Sequence, residues 1–168
     1  MAKISLIGAG SVVFARRLLQ DIVCVPELSD STVSLMDTDP ERLALMNKFA
    51  TKLARDTGTN IKVEATPDRR EALDGSDYVL TTIRVGDSYE RDIEIPLKYG
   101  VDQSVGDTVG PGGVFKALRT APVLMDICED IEDVAPNATL LNYTNPMAIA
   151  CWAIAEATDV PTIGLCHS

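Results

Sequence analysis

Short apolar runs alternate along this chain with stretches whose apolar residues recur every three or four positions. The runs at residues 4–8, 32–36, 61–65, 78–83, 139–143 and 162–165 have strand length and strand composition. Between them lie helical patterns. Phe14, Leu18, Leu19 and Ile22 mark a helix within residues 12–25, and Leu43, Met46, Phe49, Ala50 and Leu53 mark one within residues 39–55. Asp39, Pro40 and Glu41 form the start of the latter: a capping carboxylate, a proline at the first helical position and an acid in the first turn. Gly58 stands just past its end. Residues 68–73, 93–99, 114–134 and 146–157 supply further helical segments, with Pro122 predicting a kink or a break and Pro146 a first helical turn capped by Asn145. Residues 101–113, with four glycines and a proline, read as a long loop. Alternation at this rate predicts an α/β fold: a Rossmann-like, doubly wound, mainly parallel sheet with helices on both faces, as a single domain over residues 1–168.

Charge narrows the possible partners. Twenty-five acidic against 15 basic side chains give a net charge of −10, which disfavours nucleic acid and anionic membrane surfaces. No apolar run has the length of a membrane span, and the apolar run after Lys3 is too short for a signal-peptide core, so the expected location is the cytoplasm. The four cysteines, Cys24, Cys128, Cys151 and Cys166, form no Cys-x-x-Cys pair and read as thiols.

Two segments carry candidate chemistry at the first two strand ends. Gly8-Ala9-Gly10-Ser11 follows the first strand and opens a helix. Gly8 permits the tight turn, Gly10 lets the backbone approach a pyrophosphate, and the helix N-terminus offers unpaired N–H groups. Val13 stands where the three-glycine fingerprint has its last glycine. Asp37 closes the second strand, where a carboxylate accepts hydrogen bonds from an adenosine ribose and disfavours a 2′-phosphate. Gly8, Gly10, Ser11 and Asp37 are therefore expected to bind NAD in preference to NADP. The alternative for Asp37 is a turn or capping carboxylate.

Two later strand ends are also polar: Asn142-Tyr143-Thr144-Asn145-Pro146-Met147 and Gly164-Leu165-Cys166-His167-Ser168. Open parallel sheets bind ligands beyond the carboxyl ends of their strands, so both segments fall on the edge that carries the glycine turn. Cys166 and His167 suit a transition metal, but neighbours at a strand end point opposite ways and rarely share one ion. An inert buried thiol at Cys166 and a structural histidine at His167 are the alternatives.

Taken together, these segments resemble glycoside hydrolase family 4, the NAD- and metal-dependent glycosidases. The resemblance runs over the whole chain. Besides the segments quoted, it is carried by Leu35-Met36-Asp37, Gly106-Asp107-Thr108-Val109-Gly110-Pro111-Gly112-Gly113 and Ala117-Leu118-Arg119-Thr120. It points to the α-galactosidase, α-glucosidase and α-galacturonidase branch. Members acting on 6-phospho-sugars usually show Asn after the metal cysteine, so His167 implies an unphosphorylated sugar. The family's scheme departs from the two-carboxylate glycosidases. NAD takes a hydride from C3 of the sugar, the C2 proton becomes acidic and is removed, the C1 oxygen leaves by elimination, water adds, and the hydride returns. A divalent metal, usually manganese, polarises the C3 oxygen. By position, the resemblance makes Cys166 a metal ligand, Asn145 and His167 sugar contacts, and Asn142 a neighbour of the nicotinamide ribose. Arg84 and Asp107 are polar groups that could reach the site or serve the surface alone.

The family's second metal ligand and its C2 base lie beyond the stretch matched here, so the metal site is expected to be incomplete and no catalytic base is assigned within these residues. The 168 residues alone are accordingly expected to lack glycosidase activity, and uncovered apolar surface is expected to favour a homo-oligomer. Two other functions stay open on sequence: a stand-alone NAD-binding module, and an oxidoreductase resembling lactate or malate dehydrogenase.

Overall fold

A computed structural model describes residues 1–86, 89–103 and 108–166. Helices and strands alternate in the order β1 (Lys3–Ile7), α1 (Phe14–Cys24), β2 (Thr32–Met36), α2 (Pro40–Thr57), β3 (Lys62–Thr66), α3 (Arg69–Leu73), β4 (Tyr78–Thr81), α4 (Tyr89–Lys98), α5 (Gly110–Val134), β5 (Thr139–Asn142), α6 (Met147–Ala157) and β6 (Thr162–Gly164). Among the described residues the strands form one six-stranded sheet in the order β3-β2-β1-β4-β5-β6, every neighbouring pair parallel. The strand order reverses between β1 and β4, which opens a crevice at the carboxyl ends of those two strands.

Side-chain alternation along the strands builds two cores. Leu6, Leu35 and Leu80 turn to one face and pack with Leu19, Leu43 and Met46 from α1 and α2. Ile7, Met36 and Val79 turn to the other and pack with Leu73, Leu124 and Ile127 from α3 and α5. Both faces are thus covered, which is why the strands read as continuous apolar runs.

Helix starts follow capping chemistry where a capping residue exists. The Asp39 carboxylate accepts from the N–H groups of Glu41 and Arg42 with Pro40 at the first position, and Gly58 ends the helix at φ +70°. Asp68 caps α3 in the same way through Arg70 and Glu71.

Three expectations change. Residues 110–113 are the first turn of α5, not loop: Gly110 enters at φ +68°, Pro111 suits the opening turn, and a Cβ on Gly113 would lie 2.8 Å from the Thr108 carbonyl. The three glycines among them hid the periodicity. Pro122 neither breaks nor ends α5, which continues to Val134; it lies on the exposed side of the helix. Pro146 is the capping residue before α6, which starts at Met147, one residue later than expected, and Asn145 is not its cap.

Candidate functional site

A cavity of about 510 Å³ lies at the crevice where the strand order reverses. Its floor is the turn after β1, with Gly8, Gly10 and Ser11. Asp37, Thr38 and Arg42 border it beyond β2, Thr82, Ile83 and Arg84 beyond β4, and Val123 and Ile127 of α5 form an apolar wall. The volume is that of a small-molecule or cofactor pocket.

The glycine turn needs both glycines. Gly8 has φ +89°, and a Cβ there would stand 2.8 Å from the Thr82 carbonyl oxygen. A Cβ on Gly10 would stand 2.7 Å from the Asp37 carboxylate. The N–H groups of Gly8 and Ala9 both donate to the Met36 carbonyl, at 3.0 and 2.9 Å, tying the turn to the end of β2. Ser11 Oγ accepts from the Phe14 N–H at 3.4 Å, and Ser11 N–H donates to the Gly8 carbonyl. Among the described residues, the exposed Val12 and Val13 amides donate to no protein group. These N–H groups stand at the positive end of α1, the arrangement that receives an anion.

Asp37 is held at both oxygens. Oδ2 accepts from the Gly10 N–H at 2.7 Å and Oδ1 from the Asp39 N–H at 2.9 Å. The Gly10 amide is thus occupied by the carboxylate one strand over. The same bond fixes the carboxylate at the cavity border, with lone pairs left for a ligand hydroxyl.

Asn142 is the last residue of β5. Its side chain is fully buried. Oδ1 accepts from Thr81 Oγ1 at 2.9 Å and from the Thr144 N–H at 3.1 Å, while Nδ2 donates to the Thr144 carbonyl at 3.1 Å. The carboxamide joins β4 to the segment after β5 and is not at the cavity. Asn145 and Cys166 follow the neighbouring strands β5 and β6 at the same sheet edge; Asn145 is half-buried and Cys166 is exposed. The described residues contain no group of three metal-ligating side chains. His167 and Asp107 lie outside the described residues.

The cavity also contains residues the sequence did not single out. Arg69 opens α3 and lines the cavity, as do Arg42 and Thr82. Val123 and Ile127 were indistinguishable from core positions, since their spacing on α5 serves burial equally well. Elsewhere on α5, Arg119 makes two hydrogen bonds, 2.9 and 2.5 Å, to the buried carboxylate of Asp92 and so joins α5 to α4.

An all-parallel doubly wound sheet with a glycine turn at its switch point defines the class: a Rossmann-like α/β domain. Residues 3–168 match the family 4 glycosyl hydrolase model, and the chain belongs to that family. It is 46% identical over 168 residues to an α-galactosidase of Rhizobium meliloti (strain 1021), covering 98% of this chain and 34% of that protein. It is 43% identical to an α-galactosidase of Bacillus subtilis (strain 168), covering 100% of this chain and 40% of that protein. A 6-phospho-β-glucosidase of Thermotoga maritima, solved with manganese, NAD+ and glucose-6-phosphate, superposes with a TM-score of 0.85 at 29% identity, over 98% of this chain and 40% of that one. The chain therefore spans between a third and two fifths of the length of these relatives. Family membership sets aside the lactate or malate dehydrogenase alternative.

Proposed function

We propose that residues 1–168 are the NAD-binding domain of a family 4 glycosidase that cleaves α-glycosides of unphosphorylated sugars. The observation that carries this is Asp37, pinned by the Gly10 and Asp39 amides at the border of the switch-point cavity. The Val12 and Val13 amides receive the pyrophosphate, Asp37 accepts from the adenosine ribose, and Gly8 and Gly10 leave the room that any Cβ would fill. A 2′-phosphate would meet the Asp37 charge, which favours NAD. Bound there, NAD supplies a hydride acceptor that returns the hydride within the same turnover.

The sugar end is proposed on Asn145 and His167, with Cys166 as one ligand of a manganese ion. One thiol beside an amide is too small a donor set for that ion, so the described residues do not fit a complete metal site. The α-galactosidase relatives favour the unphosphorylated class. A cytoplasmic location and a homo-oligomer complete the proposal. Among the described residues no helix is long and apolar enough to cross a membrane, and Leu118 and Trp152 stand exposed on α5 and α6.

The test is nitrophenol release from aryl α-galactosides, α-glucosides and α-galacturonides by the complete enzyme. Release is expected to require NAD, manganese and a thiol reductant, with no external hydride acceptor, and to be absent from the 168 residues alone. Undiminished release without NAD would overturn the proposal.

A further inference from the structure

We infer that Arg69 is the adenine-binding residue of this cavity, acting through the flat face of its guanidinium group. The inference rests on the proposed dinucleotide site. The cavity extends from the glycine turn past Asp37, and Arg69 lines it together with Val123 and Ile127 of α5. Two acceptors hold the guanidinium. Nε donates to Asp130 Oδ2 at 2.5 Å, and Nη2 donates to the Asp126 carbonyl at 3.2 Å. N–H bonds of a guanidinium lie in its plane, so these contacts occupy edges and leave the two faces. The side chain keeps 29% of its surface exposed.

Two of the five guanidinium N–H groups are committed to α5, which fixes the plane of the group. A face is what a planar, electron-rich base uses, by stacking and cation–π attraction. The apolar side chains of Val123 and Ile127 complete a slot for a flat ring.

Arg70 supplies the control. It bonds the same Asp130, at 2.8 Å, and also Asp133, but does not line the cavity. Loss of Arg70 therefore disturbs the same ion-pair network without touching the slot.

The experiment is calorimetric titration of the complete protein with AMP, ADP-ribose and nicotinamide mononucleotide. Arg69→Ala is expected to weaken AMP and ADP-ribose by about tenfold or more, the effect of losing one stacking partner, and to leave nicotinamide mononucleotide unchanged. Arg69→Lys keeps the charge but not the plane, and is expected to weaken them equally; it also serves if the alanine variant does not fold. Arg70→Ala is expected to bind as the wild type does. Wild-type affinity for AMP in folded Arg69→Ala, or full rescue by lysine, would overturn the inference. A wild-type protein that binds neither adenylate would instead overturn the dinucleotide site itself.

Discussion

Gly10 and Asp37 are 27 positions apart in the chain and share one hydrogen bond. A methyl group on Gly10 would strike the carboxylate it holds, so Gly10→Ala is expected to displace Asp37 and weaken NAD by about 10-fold or more, as for a lost charged hydrogen bond. Calorimetric titration of NAD checks this, and unchanged affinity would contradict it. Cysteine reactivity gives a second residue-scale outcome. Burial pushes the Cys128 thiol up to about 11, a rise only partly offset by a hydrogen bond with Thr158, so the native protein at neutral pH should leave Cys128 unalkylated while exposed Cys24 is modified. Mass spectrometry after brief iodoacetamide treatment reads both. At this scale the sequence was legible where backbone geometry demanded a residue type, as at Gly8 and Gly10. It did not show that the Asn142 side chain turns inward from its strand end. Nothing in composition or spacing tells a buried carboxamide from a ligand-facing one. Arg69 was invisible for a related reason, since its slot is made with α5, far along the chain.

At the scale of elements, α5 is the piece that joins sheet, cavity and neighbour helix. Its residues 110–113 escaped notice because glycines carry no periodicity, and its continuity through Pro122 was masked by the usual rule that proline breaks helices. That proline lies on the exposed side of α5 and still removes one backbone donor. Pro122→Ala is therefore expected to stabilise the fold by about 1 kcal/mol or more, a rise of roughly 2–4 °C in Tm. A drop in Tm would show that the proline serves the helix in another way. The Asp92–Arg119 pair fixes α4 to α5 with a nearly fully buried carboxylate and a partly exposed guanidinium. Asp92→Ala leaves Arg119 without that partner and is expected to cost about 2 kcal/mol, between the values for exposed and fully buried pairs. Denaturant unfolding measures it.

For the whole molecule, the alternation of runs and periodic stretches carried the doubly wound topology, because burial on both faces leaves an apolar signature in the inner strands β1, β2 and β4. The ion-pair network between α3 and α5 was not legible, since it joins residues about 60 positions apart. It gives the fold an acid-sensitive joint. Burial would raise the Asp130 carboxyl, but hydrogen bonds from Arg70 and Arg69 outweigh it and hold the group below its ordinary range. A depressed carboxylate contributes stability above its unfolded value of about 3.9, and that contribution is lost as pH falls through the lower folded value. Stability should thus be insensitive to Asp130 titration from pH 7 to 5 and fall below about pH 4. Asp130→Asn should lower stability at pH 7 and flatten the acid limb, read from urea midpoints against pH.

The most direct measurement is a paired titration of the wild-type protein and Asp37→Ala with NAD and NADP. The wild type is expected to bind NAD saturably and one-to-one and NADP more weakly, and the variant to lose that preference, as the NAD site proposed at Asp37 requires. Equal affinity for both dinucleotides in the wild type, or a preference that survives removal of the carboxylate, would contradict it.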